Sequence, residues 1–194
     1  MTSLPKLLVI GGSAGSLDVL MQLLPELKPE WPLAVIIVLH RRTDSDTLLS
    51  ELLSTKTTLS VKDAEEKDIL SAGCIYVAPS DYHLLIEPDG SLTLDASEKV
   101  HYSRPSIDVT FMSAAEVFGS RLSCLLLSGA NVDGAEGLQT VQELGGFTAV
   151  QDPDTAEVSF MPRHAINIVK VDKVFRIGEM IAFVKSLNDD NRVV

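Results

Sequence analysis

Two stretches of this chain, Ala34–Leu39 and Leu122–Leu127, are apolar at almost every position. A strand with one wet face alternates apolar and polar side chains. Runs this uniform can be buried only if both faces are covered, as in a parallel sheet with helices on either side. The rest of the chain keeps the same rhythm. Strands are predicted at Lys6–Ile10, Ala34–Leu39, Leu59–Lys62, Ile75–Ala78, Leu122–Leu127, Thr148–Gln151 and Lys173–Phe175. Helices are predicted at Leu17–Leu27, Asp46–Leu53, Ile107–Phe118, Ala135–Leu144, Pro162–Ile168 and Gly178–Leu187. The fold class is therefore α/β: a doubly wound, mostly parallel sheet in a Rossmann-like three-layer arrangement. One segment breaks the alternation. His83–Glu87 and Leu92–Asp95 flank an Asp89-Gly90 turn, which predicts an antiparallel β-hairpin attached to the parallel sheet. Asp44 or Ser45 is placed to cap the second helix and Ser106 the third, Gly145-Gly146 stops the fourth, and Asn188–Val194 is expected to fray.

A length of 194 residues suits one domain spanning 1–194. The formal net charge of −11 argues against nucleic acid, whose phosphates would repel such a surface, and against anionic lipid. No apolar run approaches the roughly 20 residues of a membrane helix, and no leader segment is evident, so no membrane insertion is expected. The two cysteines, Cys74 and Cys124, lie in strand patterns and read as reduced thiols of a cytoplasmic protein. No Cys/His cluster has zinc spacing, and neither a metal nor a cofactor is implied.

The chemistry gathers at strand ends. Leu7-Leu8-Val9-Ile10 runs into Gly11-Gly12-Ser13-Ala14-Gly15 and then a helix. A strand–turn–helix of this kind lifts a serine hydroxyl to the sheet edge beside unpaired N–H groups. Such a hydroxyl needs a base, and the next strand ends in His40. Leu122–Leu127 leads into Ser128-Gly129-Ala130-Asn131-Val132-Asp133-Gly134. Serine, histidine and aspartate at strand ends read as a serine hydrolase. The turn alone would also fit a dinucleotide site, but Ser13 and Ser16 stand where the later glycines would be, and no acidic residue ends the second strand. An ordinary α/β-hydrolase runs Ser, acid, His, whereas the order here is Ser, His, Asp. His83 is the rival base and is expected to hold structure instead. Asp133 would also serve as a helix cap, Asp108 reads as a helix-start residue, and Arg41, Arg42 and Arg163 read as surface or partner contacts.

Together these residues resemble the CheB family of chemotaxis protein-glutamate methylesterases. The resemblance is carried in order by Ile10–Gly15, Val38–His40, Ile75–Leu84, Arg104–Asp108, Leu127–Ala135, and Val150–Asp152 leading to Met161-Pro162-Arg163. It implies that Ser13 is the nucleophile, His40 the base and Asp133 the residue that orients the imidazole. Triad chemistry makes the N–H of Ala14 and of a residue in the Asp133 loop, with Ala130 the candidate there, the oxyanion donors; Met161, Pro162 and Arg104 are substrate-cleft candidates. The implied reaction is hydrolysis of glutamate γ-methyl esters on a chemoreceptor cytoplasmic domain, releasing methanol, with deamidation of receptor glutamines beside it. A receptor methyltransferase or a separate receiver protein are further implied partners, since no receiver domain precedes the first strand at about Lys6. Four positions depart from the family pattern. Ala14 replaces a usual threonine, Ser16 a usual glycine, and Ala130-Asn131 a usual Met-Gly. The changes at Ala14, Ala130 and Asn131 motivate an alternative, a catalytically weakened adaptor that binds receptor without turnover.

Overall fold

A computed structural model of the chain describes residues 4–41 and 46–188. The expected cap at Asp44 or Ser45, Arg42, and the tail beyond Asn188 lie outside the described residues.

The main sheet is parallel and has seven strands: β1 (Lys6–Gly12), β2 (Leu33–Leu39), β3 (Ser60–Asp63), β4 (Cys74–Val77), β7 (Leu122–Leu126), β8 (Phe147–Gln151) and β9 (Lys173–Phe175). Their order is β3-β4-β2-β1-β7-β8-β9. The hairpin is β5 (His83–Ile86) with β6 (Leu92–Asp95). The helices are α1 (Leu17–Leu23), α2 (Asp46–Ser54), α3 (Ile107–Phe118), α4 (Ala135–Glu143), α5 (Phe160–Ile168) and α6 (Ile177–Ser186). The expected doubly wound sheet is thus present, with most boundaries within a residue or two. Helix α1 stops at Leu23, and Leu24–Glu26 tightens into a 3₁₀ turn. Pro25 lacks the N–H that would have continued the α-helical ladder.

Both faces of the sheet are covered, as the uniform apolar runs required. Leu7, Val9, Ile36, Val38, Cys124 and Leu126 pack with α3, α4 and α5 on one side. Leu8, Ile10, Val35, Ile37, Leu125 and Leu127 pack with α1 and α6 on the other. Every residue of β2 is buried.

The hairpin forms its own two-stranded antiparallel sheet. It is attached by docking on α3. The Thr110 hydroxyl donates to the Leu84 carbonyl (2.8 Å), and the Ile86 N–H donates to Ser113 Oγ (3.2 Å). Leu84 and Ile86 enter the same core as Phe111. A helix that offers hydroxyls to the hairpin's main chain has replaced a neighbouring strand.

Strand order locates the working edge. From β1 the chain steps out to β2, passes to the edge at β3, fills the gap with β4, and then returns to β7 on the other side of β1. In open α/β sheets such a switch point opens a crevice beyond the carboxyl ends of the strands. Ser13 follows β1, His40 follows β2, and the loop 128–134 follows β7.

Helices α3 and α4 pack closely beneath that edge. A Cβ added to Gly137 of α4 would lie 2.7 Å from the Phe111 Cβ and 3.0 Å from the Asp108 Cα. Intrinsic propensity alone would make alanine about 1 kcal/mol better than glycine at this helical position. Overpacking outweighs that gain, so Gly137→Ala is expected to destabilise the fold by about 1–3 kcal/mol in chemical denaturation. An unchanged or higher midpoint would show that the helices separate freely.

Candidate active site

The turn after β1 is fixed from beneath. The Ser13 N–H donates to the Ser128 carbonyl (2.9 Å), and the Ser16 N–H and hydroxyl both donate to the Ser13 carbonyl. Ser128 is fully buried; its hydroxyl donates to the Ala14 carbonyl (2.7 Å) and accepts from the Val158 N–H (2.9 Å). A third layer holds Ser128 itself, whose N–H donates to Gln151 Oε1 (2.9 Å). The serine turn is therefore tied to the loops after β7 and β8. The Gly129 N–H is committed to the Val158 carbonyl, and the Gly129 carbonyl accepts from the Met161 N–H. Gly129 itself cannot carry a side chain, since a Cβ there would stand 2.7 Å from the Met161 Sδ and 2.9 Å from the Ser13 Cβ. Ala14 and Ala130 are both exposed. Among the described residues their N–H groups take no hydrogen-bond acceptor, so both are free to donate.

His40 begins where β2 ends, its N–H held by the Gly12 carbonyl (3.1 Å). Its Nε2 lies 2.7 Å from Asp133 Oδ2. Its Nδ1 lies 3.3 Å from the Ser103 hydroxyl. Asp133 is fully buried and is served from every side. Besides His40, it accepts from the Ser106 hydroxyl (2.9 Å) and from the N–H groups of Ile107 (2.7 Å) and Asp108 (3.0 Å), the first turn of α3. Burial works against its charge. The His40 contact, the Asp108 carboxyl and the main-chain N–H groups of Asp108 and Ile107 together outweigh burial and hold the Asp133 carboxyl down at about 2. The helix dipole acts in the same direction. An ionised Asp133 fixes the tautomer of its neighbour: Nε2 carries the proton and donates, and Nδ1 keeps the lone pair.

Asp133 does not cap the helix that follows it, whose N-cap is Gly134. It caps α3. Asp108, in the first turn of α3, returns the exchange: its Oδ1 accepts from the Gly137 N–H in the first turn of α4 (2.6 Å). Two buried carboxyls therefore cross-cap two helices. Burial first, and then the charge of Asp133, push the Asp108 carboxyl up to about 7. Ser106 caps α3 as expected, its hydroxyl accepting from the Val109 N–H (3.4 Å).

Ser13 and His40 line one cleft of about 290 Å³ with Ser16, Leu17, Leu39, Arg41 and the α2 leucines 48, 49 and 52. Among the described residues the Ser13 hydroxyl makes no hydrogen bond. Met161 is buried against Gly129, and Pro162 is buried beside it in the first turn of α5. Arg104 turns to the main chain: its guanidinium donates to the carbonyls of Ala96 (2.7 Å) and Ser97 (2.5 Å) after the hairpin. His83 holds structure, with Nδ1 accepting from the Ser106 N–H (3.1 Å) and Nε2 facing the Glu98 carbonyl (2.9 Å). Sequence reasoning overlooked Ser103. It sits on a turn, Val100–Ser103, closed by paired main-chain bonds. Asn131 holds that turn by donating to the His101 carbonyl (2.7 Å) and to Ser103 Oγ (3.1 Å), while its own Oδ1 accepts from the Asp133 N–H (3.1 Å). No local motif marks Ser103, because its partners lie 28 and 63 residues away.

The family model for CheB methylesterase matches residues 8–184. The chain belongs to the CheB methylesterase family. A Leptospira interrogans protein, provisionally named protein-glutamate methylesterase/protein-glutamine glutaminase, is 41% identical over 95% of each chain. Protein-glutamate methylesterase/protein-glutamine glutaminase 1 of Carboxydothermus hydrogenoformans is 38% identical over 89% of this chain and 52% of its own length. The CheB methylesterase catalytic domain of Thermotoga maritima has the same fold, with a TM-score of 0.89 and 30% identity over 94% of this chain and 98% of that one. Among the described residues no helix is long and apolar enough to cross a membrane.

For a member of this family the Asp133 site makes a stability prediction apart from any reaction. Asp133→Ala orphans the Ser106, Ile107 and Asp108 donors together, and a loss of about 3 kcal/mol or more is expected. Asp133→Asn keeps one acceptor oxygen and should lose less. Chemical denaturation of both variants checks this; equal midpoints for the two would show that the acceptor is not what α3 needs.

Proposed function

We propose that this protein is a serine hydrolase that removes glutamate γ-methyl esters from the cytoplasmic helices of chemoreceptors, with Ser13, His40 and Asp133 as its triad. The observation that carries this reading is the His40 ring. One nitrogen is locked on a buried carboxylate, and the other, with its lone pair, belongs to a residue lining the same cleft as Ser13. Family membership and the relatives' names support the substrate class. The exposed lip of the cleft, where Leu48 is 70% exposed, is suited to the apolar side of a helix.

The reaction follows triad logic with the ring reversed, Nδ1 in place of Nε2 as the base. His40 Nδ1 accepts the Ser13 proton as Oγ attacks the ester carbonyl. The N–H groups of Ala14 and Ala130 receive the oxyanion, each such donor being worth roughly 10²–10³ in rate. Collapse expels methanol, which takes the proton from His40. Water, deprotonated by the same nitrogen, then cleaves the glutamyl-serine ester and frees Ser13 and the glutamate carboxylate. With glutamine the leaving group is ammonia. Asp133 stays ionised throughout and holds Nε2–H in place. Ser103 occupies Nδ1 in this structure, so its hydroxyl gives way as Ser13 engages. The departures at Ala14 and Ala130 leave the main-chain donors intact, which favours turnover over the adaptor alternative.

The test is methanol release from a methylated receptor cytoplasmic fragment. Ser13→Ala is expected to lose activity by about 10³-fold or more, while Ser103→Ala keeps it within about tenfold. Loss in Ser103→Ala with retention in Ser13→Ala would transfer the nucleophile to Ser103. Receptor binding without methanol release by the unmodified protein would favour the adaptor.

A further inference from the structure

Three side chains outside the proposed triad converge beside α3: His101 from the strained turn, Asp108 from the first turn of α3, and Glu136 from the first turn of α4. One ligand atom from each lies within 4.8 Å of the others. His101 Nε2 stands 3.5 Å from Asp108 Oδ2 and 4.0 Å from Glu136 Oε1. Asp108 is 1% exposed, and its Oδ2, the atom facing His101, accepts no hydrogen bond. That is unusual, because a buried carboxylate oxygen ordinarily collects donors. Its sister oxygen is satisfied by Gly137, and all of Asp133 is satisfied next to it. The carboxyl pair thus presents one unserved, buried oxygen toward an imidazole and a second carboxylate.

We infer that His101, Asp108 and Glu136 form a binding site for a divalent cation of the zinc class. Two ligand atoms bound to one tetrahedral zinc, each at about 2.1 Å, are about 3.4 Å apart. The His101–Asp108 separation already has that value. Glu136, 65% exposed, closes the rest by a rotamer change. One imidazole and two carboxylates suit zinc or a similar borderline ion, with water in the fourth position, whereas magnesium and calcium favour oxygen-only shells of six or more. The main chain supports the site. His101 and Tyr102 both adopt positive φ, +48° and +63°. Such residues persist only where their surroundings hold them. Here the Val100–Ser103 pairing and the Asn131 bond to the His101 carbonyl do so. The same turn carries Ser103 to His40, so an ion on His101 would stiffen a segment that touches the proposed base.

The test is zinc titration of the chelator-stripped whole chain, read by calorimetry, by metal content after gel filtration, and by thermal shift. One zinc per chain is expected, with a raised melting temperature. His101→Asn, which removes the imidazole but tolerates the left-handed backbone, should weaken binding at least tenfold, and Glu136→Gln should weaken it as well. Cys74→Ser and His164→Ala should leave it unchanged. No stoichiometric zinc would overturn the site. Binding that survives intact in His101→Asn, or that vanishes in Cys74→Ser, would overturn it too.

Discussion

The carboxylate of Asp133 is the constraint around which the upper edge of this protein is arranged. A buried charge survives only where hydrogen-bond donors replace the water it has lost. Here they come from three directions: the α3 N-terminus, the Ser106 hydroxyl and the His40 ring. Each donor gains in turn. The first turn of α3 has its free N–H groups satisfied, Ser106 is oriented to cap it, and His40 is confined to one tautomer. Moving Asp133 would release a helix end, a cap and a ring together, so the structure and the proposed chemistry share one group.

The exchange of caps between α3 and α4 ties this edge together. Asp133 leads into α4 and serves α3; Asp108 belongs to α3 and serves α4. The helices cannot slide past each other without uncovering buried polar groups, and Gly137 permits the approach that the exchange requires. Rigidity at the carboxyl ends of β1, β2 and β7 is what a site built from three separate loops needs, since each side chain arrives on its own strand.

Much of this was legible in the sequence, for identifiable reasons. The strands announced themselves because two-sided burial leaves a nearly continuous apolar run, as in Leu33–Leu39 and Leu122–Leu126. Ser13, His40 and Asp133 could be singled out as candidates because each follows such a run in its own short motif. What stayed hidden depends on pairs distant in sequence. The docking of the hairpin on α3 rests on Thr110 and Ser113 meeting Leu84 and Ile86 across some 26 residues. The approach of Ser103 to His40 spans 63 residues. The carboxylate exchange spans 25 and 29 residues, and nothing local at Asp108 distinguishes it from an ordinary helix-start aspartate. Periodicity reports which face of an element is buried, not which polar group will meet it there.

The departures in the loops take on a different weight in three dimensions. Read alone, Ala14, Ala130 and Asn131 suggest a weakened site, because side chains usual in the family are missing. Yet the groups proposed to meet the oxyanion are main-chain N–H groups: the Ser13–Ala14 peptide is held at its carbonyl by Ser16, and the Gly129–Ala130 peptide at its carbonyl by the Met161 N–H. Asn131 is drawn fully into the frame, bonded to the Asp133 N–H on one side and to His101 and Ser103 on the other. It links the loop bearing the carboxylate to the turn that faces the imidazole. A residue that looks like a loss in one dimension therefore supplies a connection that the usual glycine, with no side chain, could not make.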